Sequence, residues 1–234
     1  MKALTVLSGG QDSTTCLYWA LANFDEHVAI TFDYGQKHRR EIACAKKIAQ
    51  MAGVEHEVIE VGNILKGTSP LVNSDYDVEQ YKDAASLPGG LEKTFVPSRN
   101  MLFLTIASNR AYVHGCDVVI TGVSEEDYGG YPDCREGFIR GMENVYNEGL
   151  EKDIKIVTPL IQLDKKQTVE MAVDLPGCME ALKYSHTCYN GEFPPCGKCH
   201  ACLLREKGFE LAGVPDPIHD SEGMAFWGSE GVSV

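Results

Sequence analysis

Two adjacent glycines, Gly9 and Gly10, follow one residue after an apolar run at residues 2–7 and precede a helix-compatible stretch at residues 14–23. A glycine turn between a strand and a helix collects backbone N–H groups at the positive end of the helix dipole, where an anion is stabilised. Hydroxyl side chains crowd the same turn, at Ser8, Ser13, Thr14 and Thr15. The stretch therefore predicts a phosphate-binding turn, and a tight turn without ligand is the alternative.

Strand and helix patterns alternate over the first sixty residues. After the glycine turn, residues 28–32 and 56–61 read as strands, and residues 36–52 between them carry apolar residues at helical spacing up to Gly53. Such alternation is typical of a parallel sheet with right-handed crossovers. We therefore expect an α/β fold, with an open parallel sheet and helices on both faces.

A polar excursion at residues 62–91, with Pro70, Pro88 and no clear period, interrupts the pattern. A loop this long is uncommon without a role, and we interpret it as a mobile flap or an oligomer contact. The alternation then resumes, with Asp164 as a helix N-cap. The expected elements are helices at residues 98–116, 135–149 and 163–175 and strands at residues 117–121 and 154–161.

Three units are expected along the chain. Residues 1–180 form the α/β domain, residues 181–213 form a small cysteine-rich region with a helix, and residues 214–234 form a tail. The tail is short of apolar periodicity, so we expect it to pack loosely.

The charge balance restricts the class of partner. The chain has 34 acidic and 21 basic side chains and a formal net charge of -13. Proteins that bind polyanions usually present basic stripes, so we expect a small-molecule substrate and no stable binding of nucleic acid. With neither a signal-peptide pattern nor an apolar run of membrane-spanning length, we expect a cytoplasmic protein without membrane association.

Four cysteines, Cys188, Cys196, Cys199 and Cys202, give the spacing C-x7-C-x2-C-x2-C. Four thiolates at such spacing close a tetrahedral zinc site with no open position, which indicates a structural role. Incidental thiols and an iron–sulfur cluster are the alternatives, because cysteine alone does not decide the metal. The nearby His186 and His200 are more typical of solvated loop histidines than of ligands. Of the other five cysteines, Cys16, Cys44 and Cys116 are expected to pack as small apolar side chains, and Cys134 and Cys178 are scattered.

Charged residues elsewhere indicate a ligand site beyond the carboxyl ends of the strands. Asp12 places a carboxylate beside the expected phosphate, which requires a magnesium ion between them. The guanidinium groups of Arg99 and Arg135 can each bind a carboxylate or phosphate through two hydrogen bonds. The segment 122–135 adds acceptors for the amide edge of a guanine-like base and rings that stack on it, which are Glu125, Asp127, Asp133, Tyr128 and Tyr131.

The glycine turn does not match the Walker or dinucleotide patterns. It resembles the SGGxDS motif of the ATP-pyrophosphatase (PP-loop) superfamily, over about the first 125 residues. The resemblance implies that the loop holds the pyrophosphate end of ATP and that "FDYGQ", residues 32–36, contacts the adenosine. The implied nucleotide-binding residues are Leu7, Ser8, Gly9, Gly10, Gln11, Asp12, Ser13, Thr14, Thr15, Cys16 and Leu17.

The motifs "SGGQDSTTC", "FDYGQKHR", "TFVPSRN", "TGVSEEDYGGYPDCR" and the four-cysteine cluster together resemble the 7-cyano-7-deazaguanine synthases of queuosine biosynthesis. The resemblance spans about residues 3–212. It implies a carbon–nitrogen ligase that makes the nitrile from 7-carboxy-7-deazaguanine, ammonia and two ATP, through an acyl adenylate and an amide. It also implies ATP, Mg²⁺ and Zn²⁺ as cofactors and a homodimer. The expected catalytic residues are Asp12, Ser13, Arg99 for charge stabilisation and Asp133 for reading the base.

Two other functions compete with this one. A tRNA-thiolating enzyme of the same superfamily would also adenylate a base oxygen, but it would need to hold tRNA and usually a catalytic cysteine. A non-catalytic zinc module that retains the ATP loop would bind metal without turnover. The net charge opposes the first alternative, and the intact Asp12 and hydroxyl-rich turn oppose the second.

Overall fold

Parallel strands form the centre of the fold. In the computed structural model, which describes residues 1–125 and 130–227, one sheet has the strand order β3-β2-β1-β4-β5, and each strand pair is parallel. The order reverses between β1 and β4, and ligands of open α/β sheets bind at such a point. The expected parallel sheet is thus confirmed. The strands are β1 (Lys2–Val6), β2 (Glu26–Asp33), β3 (Glu55–Glu60), β4 (Val118–Ile120) and β5 (Lys155–Val157).

Helices cover both faces of this sheet. None of those in the described ranges is both long and apolar enough to cross a membrane. Short 3-10 turns occur at Ala84–Ser86, Pro132–Cys134 and Pro217–His219. The helices are α1 (Gln11–Asn23), α2 (Arg40–Ala52), α3 (Arg99–His114), α4 (Glu136–Leu150), α5 (Lys165–Asp174), α6 (Cys178–Leu182), α7 (His200–Ala212) and α8 (Ser221–Trp227).

The core has two layers because side chains alternate across the strands. Val28 and Ile30 of β2 face one side, where they join a buried cluster with Leu104 of α3 and Ile139 of α4. Ala29, between them, faces the other side and packs in a cluster that includes α1 and α2. This alternation places α3 and α4 on one face and α1 and α2 on the opposite face.

Local hydrogen bonds explain where the predicted bounds were wrong. The helix expected from residue 36 begins at Arg40, because the Gln36 side chain instead folds back onto the end of β2. The strand expected over residues 154–161 ends at Val157 and gives way to turns. The predicted cap is confirmed, since Asp164 and Gln167 form a reciprocal capping box at the start of α5.

The excursion at residues 62–91 is attached to the cysteine-rich region. Val78 is buried in a cluster with Cys188, Cys199 and Cys202. The backbone N–H of Tyr81 donates to the carbonyl of Lys198 at 2.8 Å. These contacts anchor the segment to the body of the protein and do not support a free flap.

The start of the tail also packs, contrary to expectation. Ile218 is buried, and Phe226 contacts Tyr184 edge to face with 5.3 Å between ring centroids. The carboxylate of Asp216 accepts two hydrogen bonds from Arg205, at 2.6 and 2.8 Å. The prediction of loose packing was therefore wrong for this segment. The ion pair of Asp216 with Arg205 and the apolar contacts of Ile218 and Phe226 hold it against the domain, although its sequence has no helical pattern of apolar residues.

Gly9 is where the turn after β1 meets α2. Its φ is +88°, and a Cβ there would lie 2.2 Å from the carbonyl oxygen of Glu41 and 2.8 Å from the amide nitrogen of Ala45. Both neighbours are backbone atoms of α2 and cannot swing aside. Only glycine permits this approach, which holds the turn and the N-terminus of α1 in place.

Replacing Gly9 by alanine is expected to destabilise the fold strongly. The matched control is Gly53→Ala, at φ +67° with no atom within 4 Å of the added Cβ. The control carries only the left-handed backbone cost of about 1–2 kcal/mol, whereas Gly9→Ala adds a backbone clash and should lose on the order of 4 kcal/mol or more. Urea unfolding measures both, and equal losses would contradict the close-packing account.

Candidate functional site

A cavity of about 500 Å³ lies at the carboxyl ends of β1, β2 and β4. The predicted nucleotide loop contributes Leu7, Ser8, Gly10, Gln11, Asp12 and Ser13 to its wall. Gly9 packs against α2 instead, and residues 14–17 lie inside α1, where Cys16 and Leu17 are core side chains. The predicted nucleotide loop therefore begins at the cavity wall, and its last four residues continue into α1.

Hydrogen bonds organise the glycine turn for an anion. The hydroxyls of Ser8 and Ser13 lie 2.9 Å apart, and the Gly10 N–H points to the Ser8 hydroxyl at 3.3 Å. Thr14 and Thr15 are not among the cavity-lining residues, and their hydroxyls donate to the carbonyls of Gly10 and Gln11. The Ser13 hydroxyl lines the cavity and also lies 3.2 Å from the Gly10 carbonyl. The side-chain nitrogen of Gln11 is buried without a partner among the described residues. Backbone N–H groups, two serines and Gln11 thus face the cavity.

Lys165 is a site residue that sequence reasoning missed. Its Nζ lies 2.8 Å from Oδ2 of Asp12, and the two side chains are 13% and 26% exposed. The other oxygen of Asp12, Oδ1, is buried and has no hydrogen bond in the described ranges. The sequence did contain a signal for this position. The predicted N-cap at Asp164 places Lys165 at the start of α5, on the same edge of the sheet as the glycine turn.

Three arginines line the cavity in different settings. The predicted Arg99 lies beside the hydroxyl of Tyr34, whose pKa is raised to about 12 by burial despite the opposing charge of Arg99. The predicted Arg135 also lines the wall. Sequence reasoning missed Arg205 of α7, a buried residue with a bidentate pair to Asp216 and a 2.8 Å bond to Ser185 Oγ.

The predicted carboxylates mostly serve the scaffold. Asp133 is not among the cavity-lining residues; its Oδ2 accepts the N–H of Asn100 at 3.3 Å, and burial raises its pKa. Its position therefore serves the start of α3 and does not support contact with a base. Glu125 lines the cavity, but its carboxylate accepts the N–H of Glu136 at the start of α4. Asp127 and Tyr128 lie outside the described residues.

Aromatic rings form one side of the cavity. Phe32 and Phe103 stack with centroids 4.3 Å apart, and Tyr34 meets Phe103 edge on at 5.1 Å. Tyr131, which the sequence predicted, lines the wall, and its hydroxyl lies 2.6 Å from that of Thr94. Such a surface suits a flat heterocycle.

The four predicted ligand cysteines converge on one point. Their sulfur atoms all lie within 4.8 Å of one another, and three of the four residues are buried. Backbone N–H groups of Tyr189, Lys198 and Cys199 point at the sulfurs at 3.3–3.4 Å, as thiolates require. Hydrogen bonds from the thiols of Cys199 and Cys202 lower the pKa of Cys188. The cluster fits a tetrahedral zinc ion.

The cysteine cluster continues directly into the cavity wall. Cys199 is the N-cap of α7, and the helix places His200, Leu204 and Arg205 in the cavity lining. His186 and His200 are outside the cluster, as expected. They are, however, buried cavity residues and not solvated, and burial followed by the charge of Lys165 lowers the pKa of His200 to about 4.

The comparison with protein families decides the assignment. The model of the family described as "Queuosine biosynthesis protein QueC" matches residues 2–213. The chain belongs to the QueC family. The matched span covers the glycine turn, the cavity wall and the four cysteines, so every part of the site lies inside the family region.

Three curated relatives of this QueC family member illustrate what the chain is similar to. Proteins named 7-cyano-7-deazaguanine synthase are 51% identical over 93% of this chain and 95% of the protein from Gloeobacter violaceus, and 49% identical over 93% and 92% in Chromobacterium violaceum. A Clostridium botulinum protein of the same name is 41% identical over 89% of this chain and 94% of its own. The resemblance inferred from the motifs is thus confirmed.

Replacing Cys199 by serine is expected to remove the metal and weaken the fold. A four-thiolate site that loses one ligand holds zinc poorly, and structural zinc contributes folding energy directly. Elemental analysis of purified protein should show bound metal near zero, and the unfolding temperature should fall by on the order of 10 °C.

The control for this variant is Cys116→Ala, which truncates a buried cysteine outside the cluster. It should lose some stability and keep its metal. Full metal occupancy in the Cys199→Ser variant would rule out this cluster as the ligand set.

Proposed function

We propose that this chain converts 7-carboxy-7-deazaguanine and ammonia to 7-cyano-7-deazaguanine with two ATP. The proposal is carried by the QueC family match, which runs through residues 2–213 and contains the whole cavity. The first ATP activates the carboxylate as an acyl adenylate, and ammonia displaces AMP to give the amide. The second ATP activates the amide oxygen, and loss of AMP leaves the nitrile.

The glycine turn supplies the phosphate site in this proposal. The N–H groups at the start of α1, the hydroxyls of Ser8 and Ser13 and the side chain of Gln11 donate to the pyrophosphate. Lys165 adds a positive charge at the same place. Asp12 fits a magnesium ion, because its buried Oδ1 has no partner among described residues and a carboxylate oxygen is a preferred ligand. When bound, the ion would supply positive charge against the phosphates.

Cationic side chains in the cavity wall stabilise the transition state of adenylation in this proposal. Charge accumulates on the α-phosphate as the substrate oxygen attacks, and preorganised cations in a water-poor cavity stabilise it. Arg99 and Lys165 line the cavity for this task. Arg205 is tied to Asp216, so it shapes the wall and fixes the tail more than it offers free charge.

The remaining partners follow the resemblance. Zinc at the four cysteines acts structurally, since a closed thiolate set has no position for water. Small-molecule substrates without stable nucleic-acid binding agree with the net charge of -13. We also infer a cytoplasmic homodimer: the sequence has no signal-peptide pattern, and the family resemblance implies the dimer.

The cysteines argue against a thiolating enzyme. A nucleophilic cysteine needs a lowered pKa, but burial raises the pKa of Cys116 to about 11 and that of Cys178 to about 12. Burial likewise raises the pKa of Cys16 and Cys44 well above the ordinary value. The thiol of Cys134 reaches the cavity beside Asp133, at 4.0 Å from its Oδ1, and a neighbouring carboxylate does not activate a thiol.

Mass spectrometry of the protein with 7-carboxy-7-deazaguanine, ammonium, magnesium and ATP should show the nitrile together with AMP. In Asp12→Asn, turnover should fall by about hundred-fold or more, because the variant loses the cation-binding carboxylate and the Lys165 partner. The control Asp174→Asn changes an exposed carboxylate on α5 and should retain full turnover.

Two results would count against the assignment. A base that stays untouched while ATP and pyrophosphate exchange with another acid would keep the nucleotide site and discard the substrate. Full activity in Asp12→Asn would discard the role of the Asp12 carboxylate.

Arg99→Ala and Asp133→Ala are expected to fail in different ways. Arg99→Ala should lower turnover by about hundred-fold, since it removes a cation from the cavity wall. Asp133→Ala should cost about 1–3 kcal/mol of stability by leaving the Asn100 N–H without its acceptor, with a substrate Michaelis constant close to the original. Steady-state kinetics and urea unfolding of both variants separate the two roles, and a large Michaelis-constant increase in Asp133→Ala would restore it as a base-reading residue.

A further inference from the structure

Glu41 is a cavity residue that the proposed function leaves without a task. It lies in the first turn of α2 and lines the cavity. Its Oε1 accepts a hydrogen bond from Gln36 Nε2 at 3.1 Å. Gln36 is itself fixed, because it accepts the N–H of Tyr34 at 2.9 Å and donates to the carbonyl of Phe32 at 3.2 Å. The carboxylate of Glu41 is therefore held in one orientation at the wall.

The carboxylate of Glu41 forms no ion pair within the described residues, and the charge of Arg99 acts on it only from beyond ion-pair distance. The acid of the phosphate turn, Asp12, pairs with Lys165, and Asp216 pairs with Arg205. Glu41 has the amide of Gln36 as its side-chain partner and no cation within ion-pair distance in the described ranges. A desolvated carboxylate is costly without a cation or further N–H donors. Its position in a cavity wall makes a ligand the missing partner.

The charges of the substrates decide which ligand fits, an argument that rests on the proposed function. ATP and 7-carboxy-7-deazaguanine are net anions, so neither supplies the positive charge that would pair with the carboxylate of Glu41. The ammonium ion is the substrate with positive charge and N–H donors on every side. It must also lose a proton before its nitrogen can attack, and a carboxylate at bonding distance can accept that proton.

We propose that Glu41 binds the ammonium ion and acts as the general base that converts it to ammonia. One N–H proton passes to a carboxylate oxygen of Glu41. The freed nitrogen lone pair forms the C–N bond to the acyl carbon, and the C–O bond to AMP breaks with its electron pair on AMP. The nitrogen then sheds its surplus proton to solvent, which leaves the neutral amide, and Glu41 is restored by losing its proton.

The surroundings of Glu41 set the pKa of its carboxyl group. Burial raises its pKa to about 7, while the Gln36 hydrogen bond and the charge of Arg99 act in the opposite direction. Tyr34 after β2 and Cys44 on α2 are the other titratable groups that interact with its charge, and both stay neutral because burial raises their pKa. His38 and His186 line the same cavity, and burial lowers the pKa of each, so they are neutral as well.

The pH dependence follows from the ionised form. Glu41 accepts a proton only as a carboxylate, so ammonium-dependent kcat/KM should rise with pH through about 7. In Glu41→Gln this inflection should vanish, and the remaining rate should follow the fraction of free ammonia in solution. Since burial disfavours the charged form, the neutral variant is not expected to weaken the fold.

The decisive experiment compares two nucleophiles. Ammonium must be deprotonated before attack, whereas hydroxylamine is largely uncharged near neutral pH and needs no base to free its lone pair. With Glu41→Gln, ammonium-dependent amide formation should fall by about hundred-fold. Hydroxylamine-dependent formation of the hydroxamate, with AMP, should stay close to that of the unmodified protein. Glu41→Asp should keep the pH inflection at a reduced rate, and Glu148→Gln, an exposed acid on α4, is the control.

Several outcomes would overturn the inference. In Glu41→Gln, the first is an equal loss of activity with ammonium and with hydroxylamine. The second is a raised Michaelis constant for ATP as the sole change, and the third is an unchanged pH profile. If Glu41→Gln does not fold, a Glu41→Asp variant without the inflection has the same consequence. A wild-type protein that forms no AMP from the base with either nucleophile would instead overturn the proposed function, and the inference with it.

Discussion

The contact between Gly9 and the backbone of α2 is the constraint on which the site depends. Because no side chain intervenes, the turn after β1 approaches α2 to a distance that only glycine allows. That approach points the N-terminus of α1 into the cavity and sets Glu41 beside it. The glycine turn and the carboxylate of Glu41 therefore line one cavity, although they precede or belong to different helices.

The rest of the cavity is assembled by parts of the chain that are distant in sequence. Lys165 reaches Asp12 from 153 residues away, and Arg205 fixes both the end of α6 and the tail. The cysteine-rich region is continuous with this wall, since Cys199 caps the helix that carries His200 and Arg205. A metal bound by the four cysteines would thereby be coupled to the shape of the neighbouring cavity.

The charges divide the cavity by function. Paired acids and bases, such as Asp12 with Lys165, tolerate burial because each compensates the other. Glu41 forms no ion pair within the described residues, although the charge of Arg99 acts on it at longer range. In our inference, a ligand that brings its own positive charge supplies the missing partner.

The sequence by itself determined the parallel α/β fold, the glycine turn after β1, the set of four converging cysteines and the family, because these depend on local spacing. Glycines, hydroxyls and C-x2-C steps act within one or two turns of the chain. The tertiary structure decided that Lys165, Arg205 and Glu41 line the cavity and that Asp133 and Thr14 do not. A single carboxylate or cation has no local signature, since its task depends on burial and on partners that long-range packing supplies.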